Sequence, residues 1–141
     1  VTQVPERFEA MPEGSRAMQA WTVRFDSKFL DSFGRPDPNQ DPPCERTTET
    51  TVVQALHLMN APGLASKITS DKGRAATLAA SGRTPREIVE DIYFLVYCRP
   101  PSADELATCL ARFDRHDAKR RTVTEDLLWA LMNTPEFVFV D

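Results

Sequence analysis

Three kinds of side chain in this sequence could do chemistry, and each is scarce or badly spaced for it. Nucleophilic catalysis by Ser-His-Asp or Cys-His logic needs a histidine oriented by a third group, and the chain has two histidines, His57 and His116. His57 lies in Gln54-Ala55-Leu56-His57-Leu58-Met59-Asn60, where a packed or half-exposed structural role is expected. His116 sits among Arg115, Asp117, Lys119, Arg120 and Arg121 and reads as a solvated side chain near the negative end of a helix. Zinc wants Cys and His at short spacing, but Cys44, Cys98 and Cys109 form no CxxC pair. Calcium wants a run of alternating oxygen ligands. Asp37, Asn39 and Asp41 alternate, yet the expected glycine and closing glutamate are missing and Pro38 and Pro42 interrupt the run. Adjacent carboxylates such as Glu90/Asp91 and Asp104/Glu105 diverge around a helix instead of sharing a substrate. No glycine-rich phosphate loop occurs. The residues therefore assign no catalytic group, no metal and no cofactor.

What remains are candidates for contact. Arg35, Asp37, Cys44, Glu45 and Arg46 gather around a proline-rich segment, and long loops without secondary structure are often functional. Two readings stand: ion pairs that pin the loop across the fold, or an interaction site. Tryptophan can stack on a ligand. Trp21, in a less regular segment, is the better candidate, whereas Trp129 lies in an apolar helix and is expected in the core. Cys98 and Cys109 are expected either as buried residues on helices or as an oxidised pair. Lys119-Arg120-Arg121 reads as a solvated face.

The elements that must carry these residues are helical. About 27–33 shows Phe29, Leu30 and Phe33 at helical spacing, stopped by Gly34. About 49–60 has an apolar face of Val52, Val53, Leu56 and Met59, ended by Asn60, Pro62 and Gly63. A weaker helix covers about 71–80. Thr84-Pro85-Arg86-Glu87 and Ser102-Ala103-Asp104-Glu105 are both capping boxes. The short Arg99-Pro100-Pro101 connection between them predicts an antiparallel helical hairpin over 84–116. A last helix is expected over about 124–133, with Thr134-Pro135-Glu136 starting one further turn. Phe137-Val138-Phe139-Val140 is the one strand candidate. Four of the eleven prolines fall within 34–47, which predicts a long loop between the first two helices. The expected fold is all-α: a bundle of about six helices forming a single domain over 1–141.

Composition narrows the partners. The chain has 141 residues, 41% of them apolar, and a net charge of −4, which gives no electrostatic reason for a nucleic-acid partner. Its longest apolar stretch, Ile92 to Cys98, falls far short of the roughly 20 residues that span a bilayer. No signal peptide opens the chain and neither does a methionine, so it is expected to be a piece of a longer one.

The motifs together resemble a known family. Phe29-Leu30-Asp31-Ser32-Phe33-Gly34-Arg35-Pro36-Asp37 is similar to the FLDxFGRPD segment of a planctomycete domain of unknown function. Cys44-Glu45-Arg46-Thr47 resembles its CERS segment, and Gln54 to Asn60 its QALHLLN. Arg99 to Glu105 resembles its SRPPTxEE turn, Asp126 to Asn133 its DLLWALLN, and Glu136 to Phe139 its EFLF. These motifs follow in order along nearly the whole chain and correspond to the C-terminal half of the family domain. Two departures are visible: Val140-Asp141 replace the family's terminal Asn-His, and Cys98 stands where serine is common.

The resemblance implies a secreted, periplasmic or cell-surface setting, with a haem-binding cytochrome-like domain upstream in the parent. It carries over no catalytic residue. The expected function is a non-catalytic helical module whose partners are the upstream domains of its own parent chain. The alternative is an accessory or glycan-recognition part of an extracellular polysaccharide-processing system, with polysaccharide as partner.

Overall fold

In the computed structural model, which describes residues 1–5, 8, 11–12, 14–19, 27, 30 and 62–138, both capping boxes form. Thr84 Oγ1 accepts the Glu87 N–H at 3.3 Å, and Glu87 Oε2 accepts the Thr84 N–H at 2.6 Å, opening the helix Pro85–Tyr97. Ser102 and Glu105 make the same reciprocal pair at 3.3 and 2.7 Å, opening Ala103–Phe113. In chain order the described helices are α1 (Pro62–Ile68), α2 (Arg74–Ala80), α3 (Pro85–Tyr97), α4 (Ala103–Phe113), α5 (Arg120–Met132) and α6 (Pro135–Val138). The described residues contain no strand, so the fold is helical as the periodicity predicts.

The chain falls into two compact units: Pro5–Asn60, and Val1–Val4 with Ala61–Asp141. In the first, a short 3₁₀ turn covers Ala17–Gln19. The Leu30 N–H donates to Ser27 Oγ at 3.3 Å, and Leu30 is helical. The rest of the expected helix at 27–33, the proline-rich loop at 34–47 and the expected helix at 49–60 lie outside the described residues.

In the second unit the core is built around α5. Thr124 and Leu128 are fully buried, and Leu131 and Met132 nearly so. They meet Ile88, Val89, Ile92 and Val96 of α3, residues at the i, i+4, i+8 spacing of one helical face. Thr124 Oγ1 donates to the Arg120 carbonyl at 2.8 Å, so its burial leaves that hydroxyl satisfied.

Element boundaries differ from the expectation where tertiary contacts override local signals. Helix α1 is not among the expected elements; it begins at Pro62, where the fixed φ of proline suits the first helical position. The expected stop of the 49–60 helix lies outside the described residues. Helix α2 starts three residues late, at Arg74. Gly73 closes a turn onto the Ser70 carbonyl at 2.9 Å. A Cβ there would sit 2.9 Å from the Lys67 carbonyl oxygen, so the close approach requires glycine. Phe137-Val138, part of the strand candidate, belongs to α6.

Helix α5 starts about four residues early, through the run expected to be a solvated face. The Arg120 guanidinium donates to the carbonyls of Ala79 at 2.9 Å, Ser81 at 3.3 Å and Arg83. Arg121 donates to the Thr69 carbonyl at 2.7 Å, Asp71 at 2.5 Å and Glu125 at 2.7 Å. Arg120 and Arg121 are therefore a tether onto α2 and the turn before it, while Lys119 is exposed as expected.

Cys98 also departs from the expectation of a buried helical residue. It caps α3 in the left-handed region at φ 57°, ψ 22°, and its side chain is exposed. Cys98 and Cys109 are both free thiols, so they do not form the oxidised pair.

Two outcomes follow. Replacing Arg120 with Met should lower the urea-unfolding free energy by about 2 kcal/mol, the scale of charge-assisted hydrogen bonds left unmade, with Arg120→Lys recovering only part because it lacks the planar fork. Replacing Cys98 with Gly should raise stability by about 0.5–1 kcal/mol, since glycine carries no left-handed penalty but has more unfolded-chain entropy to lose.

Candidate functional site

The candidate surface in the described part of the second unit is a groove of about 890 Å³ between α4, the 114–119 connection and α5. Its floor is apolar: Tyr93 of α3, Cys109 and Phe113 of α4, and Val123, Leu127 and Leu131 of α5. Arg112, Arg115 and Lys119 stand at the end nearest the connection, and Trp129 at the other. Asp117 lies 3.4 Å from Arg115 as an exposed ion pair.

Helical period explains who faces the groove. Leu128 is fully buried against α3, and the next residue turns about 100° away from it. Trp129 is therefore 42% exposed and lines the groove, a correction to the core position that its apolar neighbours suggest. Asn133 Nδ2 donates to the Trp129 carbonyl at 2.7 Å and steadies that turn of helix.

The one thiol in the floor is buried against a phenol. Cys109 is buried, and its sulfur lies 4.0 Å from the Tyr93 hydroxyl. Burial pushes the Cys109 thiol above its ordinary pKa, and burial together with Cys109 pushes the Tyr93 phenol up as well. A thiol held protonated is a poor nucleophile. Among the described residues no group of three His, Cys, Asp or Glu could hold a metal ion. His116 is exposed in the connection after α4.

Behind the groove, Arg99 locks the wall. Its guanidinium donates to both Glu105 oxygens at 2.9 Å and to the two Glu136 oxygens at 2.7 and 2.8 Å. It also lies 5.7 Å from the Tyr93 ring centroid and 5.2 Å from that of Tyr97. The two rings meet edge-on at 5.5 Å. The Tyr97 hydroxyl reaches Thr134 Oγ1 at 2.6 Å and the Leu131 carbonyl at 3.2 Å. One cation thus joins the end of α3, the start of α4 and α6. In the sequence Arg99 reads only as part of a helix stop. The signal for its role lies in Glu105 and Glu136, the two glutamates that open neighbouring helices.

The site residues named from sequence, Trp21, Arg35, Asp37, Cys44, Glu45 and Arg46, lie outside the described residues, as does His57. No helix of the described residues is long and apolar enough to cross a membrane.

A family model described as a protein of unknown function (DUF1553) matches residues 6–113. The match ends at Phe113, the last residue of α4, so the groove has one wall inside it and one beyond it. No curated protein and no solved structure matches the chain.

The Arg99 cluster sets a pH dependence. Hydrogen bonds from Arg99, then the Ser102 amide, hold the Glu105 carboxyl down to about 2, and Arg99 lowers Glu136 as well. Both groups are depressed in the folded state, so their contribution is complete above the unfolded value of about 4.3. It is lost as pH falls through the folded values. Between about pH 5 and pH 2, Tm should fall further in the unsubstituted chain than in Glu105→Gln; parallel slopes would contradict the assignment.

Proposed function

The chain belongs to the DUF1553 family of proteins of unknown function, and from that premise we propose that it is a non-catalytic helical interaction module of a larger secreted or surface-attached protein of planctomycete type. Its partner is another part of the parent chain, upstream of this module. The observation that carries this reading is the groove between α4 and α5, an apolar floor left open with Trp129 standing half-exposed at its edge. Exposed apolar side chains gathered beside an apolar cleft mark a contact surface, and tryptophan is enriched among the residues that carry binding energy at such surfaces. In this reading the module carries no cofactor of its own, and haem chemistry belongs to the upstream domain that the resemblance implies.

The test is thermal unfolding of the chain with the upstream part of its parent added in trans. A partner at 100 times its Kd adds about 2.7 kcal/mol, which moves the midpoint by roughly 3–6 °C for a domain of this size. Trp129→Ala should abolish that shift while leaving the Tm of the free chain nearly unchanged. An upward shift that survives Trp129→Ala would move the contact elsewhere, and no shift would contradict the reading.

One observation favours the second reading, glycan recognition. Trp129 lines the groove on the same face of α5 as Thr122 and Asp126, the three at i, i+4 and i+7 positions, which puts hydroxyl and carboxylate groups along the face that carries the indole. Oligosaccharide-induced fluorescence change that vanishes in Trp129→Phe would select it.

A further inference from the structure

The groove is not electrostatically neutral along its length, and that asymmetry specifies an occupant. Arg112 ends α4, and Arg115 and Lys119 lie in the connection, so the three cations that line the groove gather at one end. Arg115 is engaged by Asp117. Among the described residues the Arg112 guanidinium and the Lys119 ammonium have no hydrogen-bond or ion-pair partner, although the chain as a whole carries net charge −4. Helix α5 also begins at this end with no acidic residue in its first turn and no side-chain cap, so its positive end is uncompensated. The other end holds Trp129, Ala130 and Leu131, with Cys109 and Leu127 also lining it. The one carboxylate on that side, Asp126, lies a turn before Trp129, so the charge along the groove runs from positive to negative.

From this polarity we propose that the groove binds an acidic peptide segment: a bulky apolar side chain seated against Trp129 and Leu127, and carboxylates paired with Arg112 and Lys119. The inference rests on the docking reading above and adds the chemistry of the partner. Spacing follows from geometry. Lys119 and Trp129 are ten positions apart, about 15 Å along the helix axis at 1.5 Å per residue. An extended segment covers that distance in about four residues at 3.3 Å each. The preferred ligand therefore has its carboxylates about four residues from its apolar anchor. A basic segment is repelled, and an uncharged one forgoes both ion pairs.

The test uses the full chain and three labelled peptides read by fluorescence anisotropy: Phe-Gly-Ser-Gly-Glu-Glu, the same peptide ending Gln-Gln, and the same ending Lys-Lys. At low salt the acidic peptide should bind about tenfold or more tighter than the glutamine peptide, and the gap should close at about 0.5 M salt as exposed charges are screened. In an Arg112→Glu, Lys119→Glu double variant the order should invert in favour of the lysine peptide. Neither side chain holds another described residue, and an unchanged Tm and far-UV spectrum would confirm that the variant is folded. Trp129→Ala should weaken all three peptides alike. Equal binding of acidic and glutamine peptides, stronger binding of the lysine peptide, or no peptide binding at all would overturn the inference. The docking reading fails separately, by loss of the thermal shift with the upstream part of the parent.

Discussion

Helix α5 is the element against which the rest of the C-terminal unit is arranged, and Arg120 decides where that helix begins. A cation in the first turn opposes the helix dipole at a cost of about 0.3–1 kcal/mol. Charge-assisted hydrogen bonds are worth about 1.5–3 kcal/mol each, and the Arg120 guanidinium reaches three carbonyls at the end of α2 and beyond it. The balance favours the helix. The same charge that opposes the start of α5 complements the negative end of α2, whose last carbonyls have no partner inside their own helix. Ser81 satisfies the Leu78 carbonyl with its own hydroxyl at 2.6 Å. Arg120 therefore joins two helix ends by one side chain.

Fixing α5 at that start also fixes the groove. With the helix begun at Arg120, Thr124, Leu128, Leu131 and Met132 turn inward against α3. The intervening positions, Val123, Leu127 and Ala130, then face α4 across the cleft. Arg99 performs a parallel task at the opposite end, holding α3, α4 and α6 through two carboxylates while its plane lies near two tyrosine rings. Two arginines that touch no ligand determine the shape a ligand would meet.

Local signals made the middle of the fold readable. Both capping boxes close reciprocally on residues three apart, and the apolar stripe of α3 falls on the buried face, because cap and period are properties of a few neighbouring residues. The failures lie where distant residues decide. Arg120 and Arg121 look like a solvated run until the Ala79 and Thr69 carbonyls, some 40–50 positions away, are placed beside them. Trp129 looks like core because its neighbours are apolar, and only the packing of Leu128 shows which way it turns. Cys98 takes a left-handed cap that sequence normally signals with glycine. The family resemblance is carried by segments that include the charged cluster at 35–46, which lies within the residues matched by a family of unknown function.

The most direct measurement is residue-resolved amide hydrogen exchange on the full chain by NMR. If Arg120 anchors the start of α5, amides from Val123 onward should exchange together with Ile88, Val89 and Ile92 of α3, as one cooperative unit. The Arg120 side-chain Nε–H, donated to the Ala79 carbonyl, should be observably slowed. Fast exchange from Val123 to Asp126, with protection beginning only near Leu127, would mean that the helix starts where the local sequence alone would place it. The tether from Arg120 to α2 would then not be what holds this unit together.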